Sequence, residues 1–561
     1  MPAQPPRWYP VDLGLLTLLA VVLLAALFGS TYLRPYDSPE LAPHAVLLPV
    51  YLLRSLARMT VAYGLAVLLA LGVGHLAAAS PVARRIILPT LDVLQSVPIL
   101  GFFPAAVAVF VGLFGPSAFG VEAAAVFLIF TSMFWNLAFG VYGSLITMPE
   151  DLGLAATHLG LHGSLRWSRL ILPAVFPNLV YNSILSWANG WYFLIASEII
   201  AAGQARYTLP GLGSYLSHAL VTGSTNQTVM ALVTLLLATL GLHLLVWGPL
   251  ESWAERFQLG ETGDRPQTPR IGRLLGRSRL VRWISRELVI PAGQKAISIG
   301  GWLMAVPGRA GRPLAVLVVA GLVALGFYAA GRAYTLFTAR PLSADARDIP
   351  AGLLLSLLRV SAGVLLAVAL SIPLAYAASR LGAHGRGVAL TALQILGSFP
   401  ATAFFPLIAL GMTRFGLDMD VGAVFMILTG TFLYVMFNAL SGAVSIPEEM
   451  NEAAIVLGMR GTRYVQHVFV PAILPRLVTG CVTAWGGGWN AIILSEYVIS
   501  GGTLYRVRGI GSTLDHATYV TGDAQVIVLS LAAMVTLIVV VNRVFWQPLY
   551  ERVAERYKME A

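Results

Sequence analysis

Lysine and cysteine are nearly missing from this 561-residue chain. The one cysteine, Cys481, excludes an intramolecular disulfide and any Cys-x-x-Cys metal site. Its apolar neighbours make it a small core residue. Two lysines are present, Lys295 after Gln294 and Lys558 after Tyr557, and neither completes the GxxxxGK[ST] loop that cradles phosphates. The chain therefore carries no nucleotide site of that kind. No HExxH, GxSxG or clustered His/Asp pattern marks it as an enzyme, and no metal site is read in it. Charge is scarce as well: 11% of residues are Asp, Glu, Lys or Arg, under half of the roughly 25% usual in soluble domains.

What is abundant is apolar: 57% of the residues are hydrophobic. They fall in runs such as Leu13–Phe28, Val61–Ala78, Val229–Val246 and Val526–Val541, close to the roughly 20 residues that span a bilayer. The chain is read as an integral membrane protein. Its net charge of +10 needs no nucleic acid to explain it, because basic residues collect in the cytoplasmic loops of membrane proteins. The run after MPAQPPRWYPVD has no small-residue cleavage site behind it, so a retained first helix is expected.

The chain also repeats itself. At an offset of 298, Pro149 and Glu150 meet Pro447 and Glu448, Gly160 and Gly163 meet Gly458 and Gly461, and Pro173 and Pro177 meet Pro471 and Pro475. Trp187 and Trp191 meet Trp485 and Trp489, Glu198 meets Glu496, and His218 meets His516. An offset of 302 pairs Ser96, Pro98 and Pro104 with Ser398, Pro400 and Pro406. Each half reads as six spans, near 12–29, 58–78, 88–113, 121–146, 178–201 and 228–248, then near 312–331, 352–377, 387–411, 420–443, 477–500 and 526–546. The expected fold is an all-α polytopic membrane protein of two parallel six-helix transmembrane repeats, about 12 spans. The domains are 1–250, a basic linker at 251–311, and 312–561. The linker reads either as an amphipathic surface helix around Leu274–Ile297 or as a solvated tether.

With six spans before the linker, Arg84, Arg85, Arg166, Arg169, the linker, Arg380, Arg386, Arg460, Arg463 and the Arg552–Lys558 segment share one face, which is read as cytoplasmic together with both termini. Arg206, Arg506 and Arg508 fall on the other. An even number of spans makes the repeats parallel, related by an axis along the membrane normal.

Between the fourth and fifth spans lie MPEDLGLAATHLGLHG and IPEEMNEAAIVLGMRG. Each opens on proline and two acids, Glu150 with Asp151 and Glu448 with Glu449. Proline suits the first helical turn, and carboxylates complement its free N–H groups. Leu152, Ala155, Ala156 and Leu159 then recur at helical spacing, as do Met450, Ala453, Ala454 and Leu457, and Gly160 and Gly458 close the helices. Such helices are too short and too charged to span, so their apolar stripe calls for a protein partner on the cytoplasmic face.

The second copy, Glu452-Ala453-Ala454 with Gly458, Gly461 and Val470-Pro471, resembles the EAA signature of binding-protein-dependent ABC importer permeases. The first copy departs from it, with Leu154 in place of the glutamate while Ala155, Ala156, Gly160 and Pro173 remain. The resemblance implies a type I ABC importer-like fold in which the two helices dock two copies of a separate ATPase. ATP and Mg then belong to that partner, and no cofactor belongs to this chain. SVPILGFFP and SFPATAFFP, the Ser-Glu pairs, and the PGLG and RGIG segments resemble the nitrate/sulfonate/taurine branch. That implies a bacterial inner-membrane location, a periplasmic or lipid-anchored solute-binding protein, and a small anion or zwitterion (nitrate, sulfonate, taurine or bicarbonate) as solute. An ion-gradient-driven secondary transporter is the alternative.

Glu198 and Glu496 close the fifth spans. A carboxylate at membrane depth costs roughly 2.5–3.5 kcal/mol, so each is either functional or paired. With Trp187, Trp191, Trp485, Trp489 and Asn490 they are expected on the translocation path. The competing reading pairs them within their own halves, for instance with Arg58 and Arg359 near the start of the second spans.

Overall fold

Prolines set the joints of the helices in the computed structural model. It describes residues 45–257 and 331–556, with breaks at 116, 203–204, 332–333, 336, 339–340, at several positions within 382–400, and at 445 and 501–502. The first half comprises α1 (Leu48–Ala79), α2 (Pro81–Ser96), α3 (Ile99–Phe114), α4 (Ala118–Ile146), α5 (Glu150–His158), α6 (Leu172–Ser197), the strands β1 (Ile199–Ala202) and β2 (Ala205–Thr208), α7 (Leu212–Val221) and α8 (Thr225–Leu242). The second half repeats most of this order as α9 (Ile349–Ser379), α10 (Phe405–Arg414), α11 (Met419–Val444), α12 (Glu448–Val456), α13 (Val470–Ser495), β3 (Tyr497–Ser500), β4 (Thr503–Arg506), α14 (Ile510–His516) and α15 (Ala524–Val541).

Eight helical stretches among the described residues are long and apolar enough to cross a bilayer. Of the twelve expected spans, 12–29 and all but the last residue of 312–331 lie outside the described residues, as does nearly all of the linker, with Leu274–Ile297. The expected third span, 88–113, is not one helix but α2 and α3, of 16 residues each. The break falls at Val97–Pro98. Proline brings no N–H and clashes with a helical residue before it, and Val97 is accordingly extended. In the second half the counterpart enters α10 through a 3-10 turn, Ala401–Phe404. The linker also begins later than residue 251, because helix continues to Ala254 and Trp253 packs on Phe176 with ring centroids 4.6 Å apart.

Of the five π turns among the described residues, four, Trp167–Ile171, His243–Trp247, Val465–Phe469 and Asn542–Trp546, each precede a proline by two residues, Pro173, Pro249, Pro471 and Pro548, while the fifth, Ala517–Thr521, precedes none. A proline ring collides with the carbonyl four residues back. Shifting that turn to i→i−5 bonding, as in Leu172 N–H to the Trp167 carbonyl, opens the turn and removes the clash.

Within each half α4 or α11 packs along both neighbouring long helices. The fit rests on small residues. The buried face of α1 carries Ser55, Ala62, Ala66, Ala70, Gly74 and Ala77; that of α9 carries Gly352, Ser356, Gly363, Ala367, Ser371 and Ala375. Lipid tails are as apolar as leucine, so close approach of backbones is what drives such contacts. A Cβ on Gly74 would lie 2.7 Å from a Val141 methyl. The all-α expectation misses one detail: antiparallel hairpins β1–β2 and β3–β4 follow α6 and α13.

Candidate functional site: two buried ion clusters, a chamber between the halves and two short helices

One end of each half is tied by a charged cluster built on an arginine, a serine and two carboxylates. Ser55 and Arg58 lie one turn apart on α1. Arg58 donates from Nε and Nη2 to the two oxygens of Glu122, at 2.6 and 2.8 Å, and from Nη1 to Glu198 Oε1 at 2.8 Å and the Pro210 carbonyl at 3.1 Å. Ser55 Oγ donates to Glu198 Oε1 at 2.5 Å and accepts from the Leu212 N–H at 2.9 Å. Glu198 Oε2 takes the N–H groups of Gly213 and Ser214, at 2.7 and 3.2 Å, in the first turn of α7, where unpaired donors and the helix dipole favour a carboxylate.

The second half repeats it. Arg359 donates to Glu496 Oε1 at 2.5 Å, to Asp420 and to the Arg508 carbonyl at 2.9 Å. Ser356 Oγ donates to Glu496 at 2.7 Å and accepts from the Ile510 N–H at 2.9 Å. Gly511 and Ser512 N–H groups meet Glu496 Oε2 at 2.8 and 3.3 Å. Neither glutamate is exposed at all, and neither lines the chamber described below. The competing reading, pairing within each half, is the geometry found. The clusters differ most in the exposure of the second acid: Glu122 is 14% exposed and Asp420 55%.

Gly211 and Gly509 are extended, at φ −174° and −175°, so it is space rather than backbone that requires glycine. A Cβ at either would overlap the adjacent Glu198 or Glu496 carboxylate. Gly211→Ala is therefore expected to cost about 1–3 kcal/mol by overpacking, read as a lower unfolding temperature of the purified protein.

The tryptophans expected on the path turn the other way. Trp187 packs edge-on against Tyr63 and Trp247, with ring centroids 5.6 and 5.8 Å apart, and Trp191 is fully buried. Trp489 is buried against Trp485 at 6.0 Å. The i, i+4 pair faces the interior of its own half and leaves another side of the same helix to the space between the halves. There Leu185, Ala188, Asn189 and Tyr192, also at helical spacing, line a chamber of about 510 Å³ between the halves. Across it stand Tyr434, Asn438, Gly486, Gly487 and Asn490, and Trp485 reaches its wall. Of the expected path residues, Trp485 and Asn490 are at the chamber; Trp187, Trp191, Trp489, Glu198 and Glu496 are not.

Two hydrogen bonds cross there between the halves. Tyr434 Oη donates to Asn189 Oδ1 at 2.7 Å, and the Ile99 N–H donates to Asn490 Oδ1 at 2.9 Å. The wall is not symmetric. At the offset of 298, Asn189 corresponds to Gly487, Tyr192 to Asn490 and Asn136 to Tyr434.

On the opposite side lie α5 and α12, nine residues each. Glu150 and Asp151 occupy the first turn of α5. Both helices end in the same cap: the Gly160 and Leu161 N–H groups return to Thr157 and Ala156, and those of Gly458 and Met459 to Ile455 and Ala454. That pairing needs a left-handed residue, and Gly160 and Gly458 have φ of 69° and 67°. Gly163 and Gly461, at 54° and 56°, turn the chain towards the next helix. Only part of the expected stripe is covered: Ala156 and Ala454 are buried, while Ala155, Ala453 and Glu452 are exposed. Leu154, Leu159, Ile455, Val456 and Leu457 stand 60–86% exposed.

The sequence profile of the family described as binding-protein-dependent transport system inner membrane component matches twice, over residues 66–247 and 367–554. The chain belongs to that family. As a family member it is a tandem, because both matches lie in one polypeptide. A putative ABC transporter permease of Methanocaldococcus jannaschii is 31% identical over 149 residues, 26% of this chain and 53% of that protein. A nitrate import permease of Synechococcus elongatus is 28% identical over 173 residues, 31% of this chain and 58% of that one. A bicarbonate transport system permease of the same species is 37% identical over 89 residues, 16% and 30% respectively. The chain thus spans less than two thirds of each of these relatives. As an all-α membrane component with tandem family repeats, the protein carries its short helices, clusters and chamber wall in both halves.

Proposed function

We propose that this chain is the two-domain permease of an ATP-driven importer in the bacterial inner membrane, with its termini in the cytoplasm. Separate ATPase subunits, two copies holding ATP and Mg, dock on α5 and α12. A periplasmic or lipid-anchored binding protein delivers the solute to the outer face, and the chamber is the solute's path. The solute is small and polar, an anion or zwitterion, a class supported by relatives named for nitrate and bicarbonate.

The observation that carries this reading is the pair of capped short helices with 60–86% exposed apolar side chains, a surface that needs a partner. ATP binding draws the two ATPases together, and the helices pass that motion to the base of α6 and α13. The Tyr464 hydroxyl, at the foot of α13, donates to Asn451 Oδ1 of α12 at 2.5 Å, one such mechanical link.

A gradient-driven transporter would need free intramembrane acids as ion sites. The two buried glutamates are each held by an arginine, a serine and two backbone N–H groups, which leaves neither free for that task. In proteoliposomes, uptake of labelled nitrate, bicarbonate or taurine is expected only when the ATPase, the binding protein and ATP are all present. Uptake by this chain alone would sink the proposal.

A further inference from the structure

Among the described residues, no Lys, Arg, His, Asp or Glu lines the chamber wall. What it offers instead is amide and hydroxyl groups, among them Asn136, Asn189, Asn490, Tyr192 and Tyr434. The Tyr192 hydroxyl is buried without a hydrogen-bond partner among the described residues. The deep arginines do not supply the missing charge, since Arg58 and Arg359 are each already shared between two carboxylates. The stretches 88–113 and 387–411 hold no Lys, Arg or His anywhere in their sequence, and Asp92 is the one acid in them.

Resting on the reading of this chamber as the solute path, we infer that it passes solutes of zero net charge, zwitterions or neutral polar molecules that both donate and accept hydrogen bonds. An ion of either sign entering a protein interior without a counter-charge loses hydration that dipoles only partly restore. Amides and hydroxyls each present a donor and an acceptor, so they match a solute bearing both. A zwitterion brings its own counter-charge. Of the two solute classes proposed above, the chamber selects the zwitterion over the bare anion.

The test reads the chamber's electrostatics without requiring transport. In the full-length protein with Cys481→Ala, single cysteines are placed at the wall by Ala188→Cys and Thr483→Cys, and at an exposed outer turn by Thr222→Cys. Each is reacted with methyl methanethiosulfonate, which is neutral, and with its anionic sulfonatoethyl and cationic aminoethyl analogues. Normalised to position 222, both charged reagents are expected to react about tenfold more slowly than the neutral one at 188 and 483, the factor that 1.4 kcal/mol represents. An anionic reagent matching the neutral one overturns the inference, and so does an accelerated cationic reagent. If the neutral reagent also fails at both positions, the chamber is not open to solutes, and its reading as the path falls too. Loss of ATP-driven uptake in the proteoliposome assay would remove the importer reading while leaving these rate ratios standing.

Discussion

Replacing Arg58 with alanine is expected to destabilise the first half by about 3–5 kcal/mol, the usual cost of stranding one partner of a buried ion pair. The substitution leaves Glu198, with no exposure, and Glu122, with 14%, facing each other without a cation. It also frees the Pro210 carbonyl that holds the entry to α7. Arg359→Ala removes the same group from the second half, but the Asp420 it leaves behind is 55% exposed and can be hydrated. The first-half variant should therefore unfold at the lower temperature of the two. The charge explanation has its own control. Arg58→Met combined with Glu198→Gln and Glu122→Gln removes all three charges, and replacing a buried ionic group by neutral side chains of similar size is often close to neutral in stability. If the triple variant melts no higher than Arg58→Ala, packing rather than stranded charge sets the cost.

Gly160→Trp together with Gly458→Trp is expected to release the co-purifying ATPase while leaving the membrane domain folded. Nothing within 4 Å would meet a Cβ at either position, so a large side chain there has room within this chain and obstructs only what docks outside it. A partner cleft packed like a protein interior loses about 1–3 kcal/mol to each oversized side chain. The pair should thus weaken binding by about thirtyfold or more. Both glycines are left-handed, so the substitution also strains the cap by roughly 1–2 kcal/mol. Asparagine tolerates that conformation, which makes Gly160→Asn with Gly458→Asn the matched control. The asparagine pair should keep the ATPase and the tryptophan pair should lose it, as read by pull-down and by ATP hydrolysis in the complex. Retention by the tryptophan pair would refute the docking role.

The sequence disclosed the repeat, the short helices and the two ways of placing the glutamates, because each is written in local spacing. Pro149 with two acids and Gly160 after an apolar turn define α5 without reference to anything distant. The choice between path and pairing for Glu198 was not local. It depends on Arg58, 140 residues away, and periodicity cannot report whether two helices bring such residues together. The tryptophan face shows the same limit. Trp187 and Trp191 do share a side of α6, but an amphipathic pattern in lipid does not say which side meets the other half. The polar stripe of Asn189 and Tyr192 was the better signal, since an amide and a hydroxyl in a membrane helix need partners or water. The break at Pro98 was legible too, from the proline itself. The hairpins were not, since four-residue strands such as Ile199–Ala202 are too short for alternation to stand out in an apolar run.

Each charged cluster binds elements of one half only, whereas Tyr434–Asn189 and Ile99–Asn490 run from one half to the other. A hydrogen bond contributes about 0.5–1.5 kcal/mol net, against several for a buried arginine left to two acids. Strength is therefore distributed unevenly, with stiff blocks meeting along a weak seam. A pull applied at the short helices should part the protein along that seam before it deforms either block. With the chamber as the proposed path, the solute then sits where the mechanical resistance is lowest.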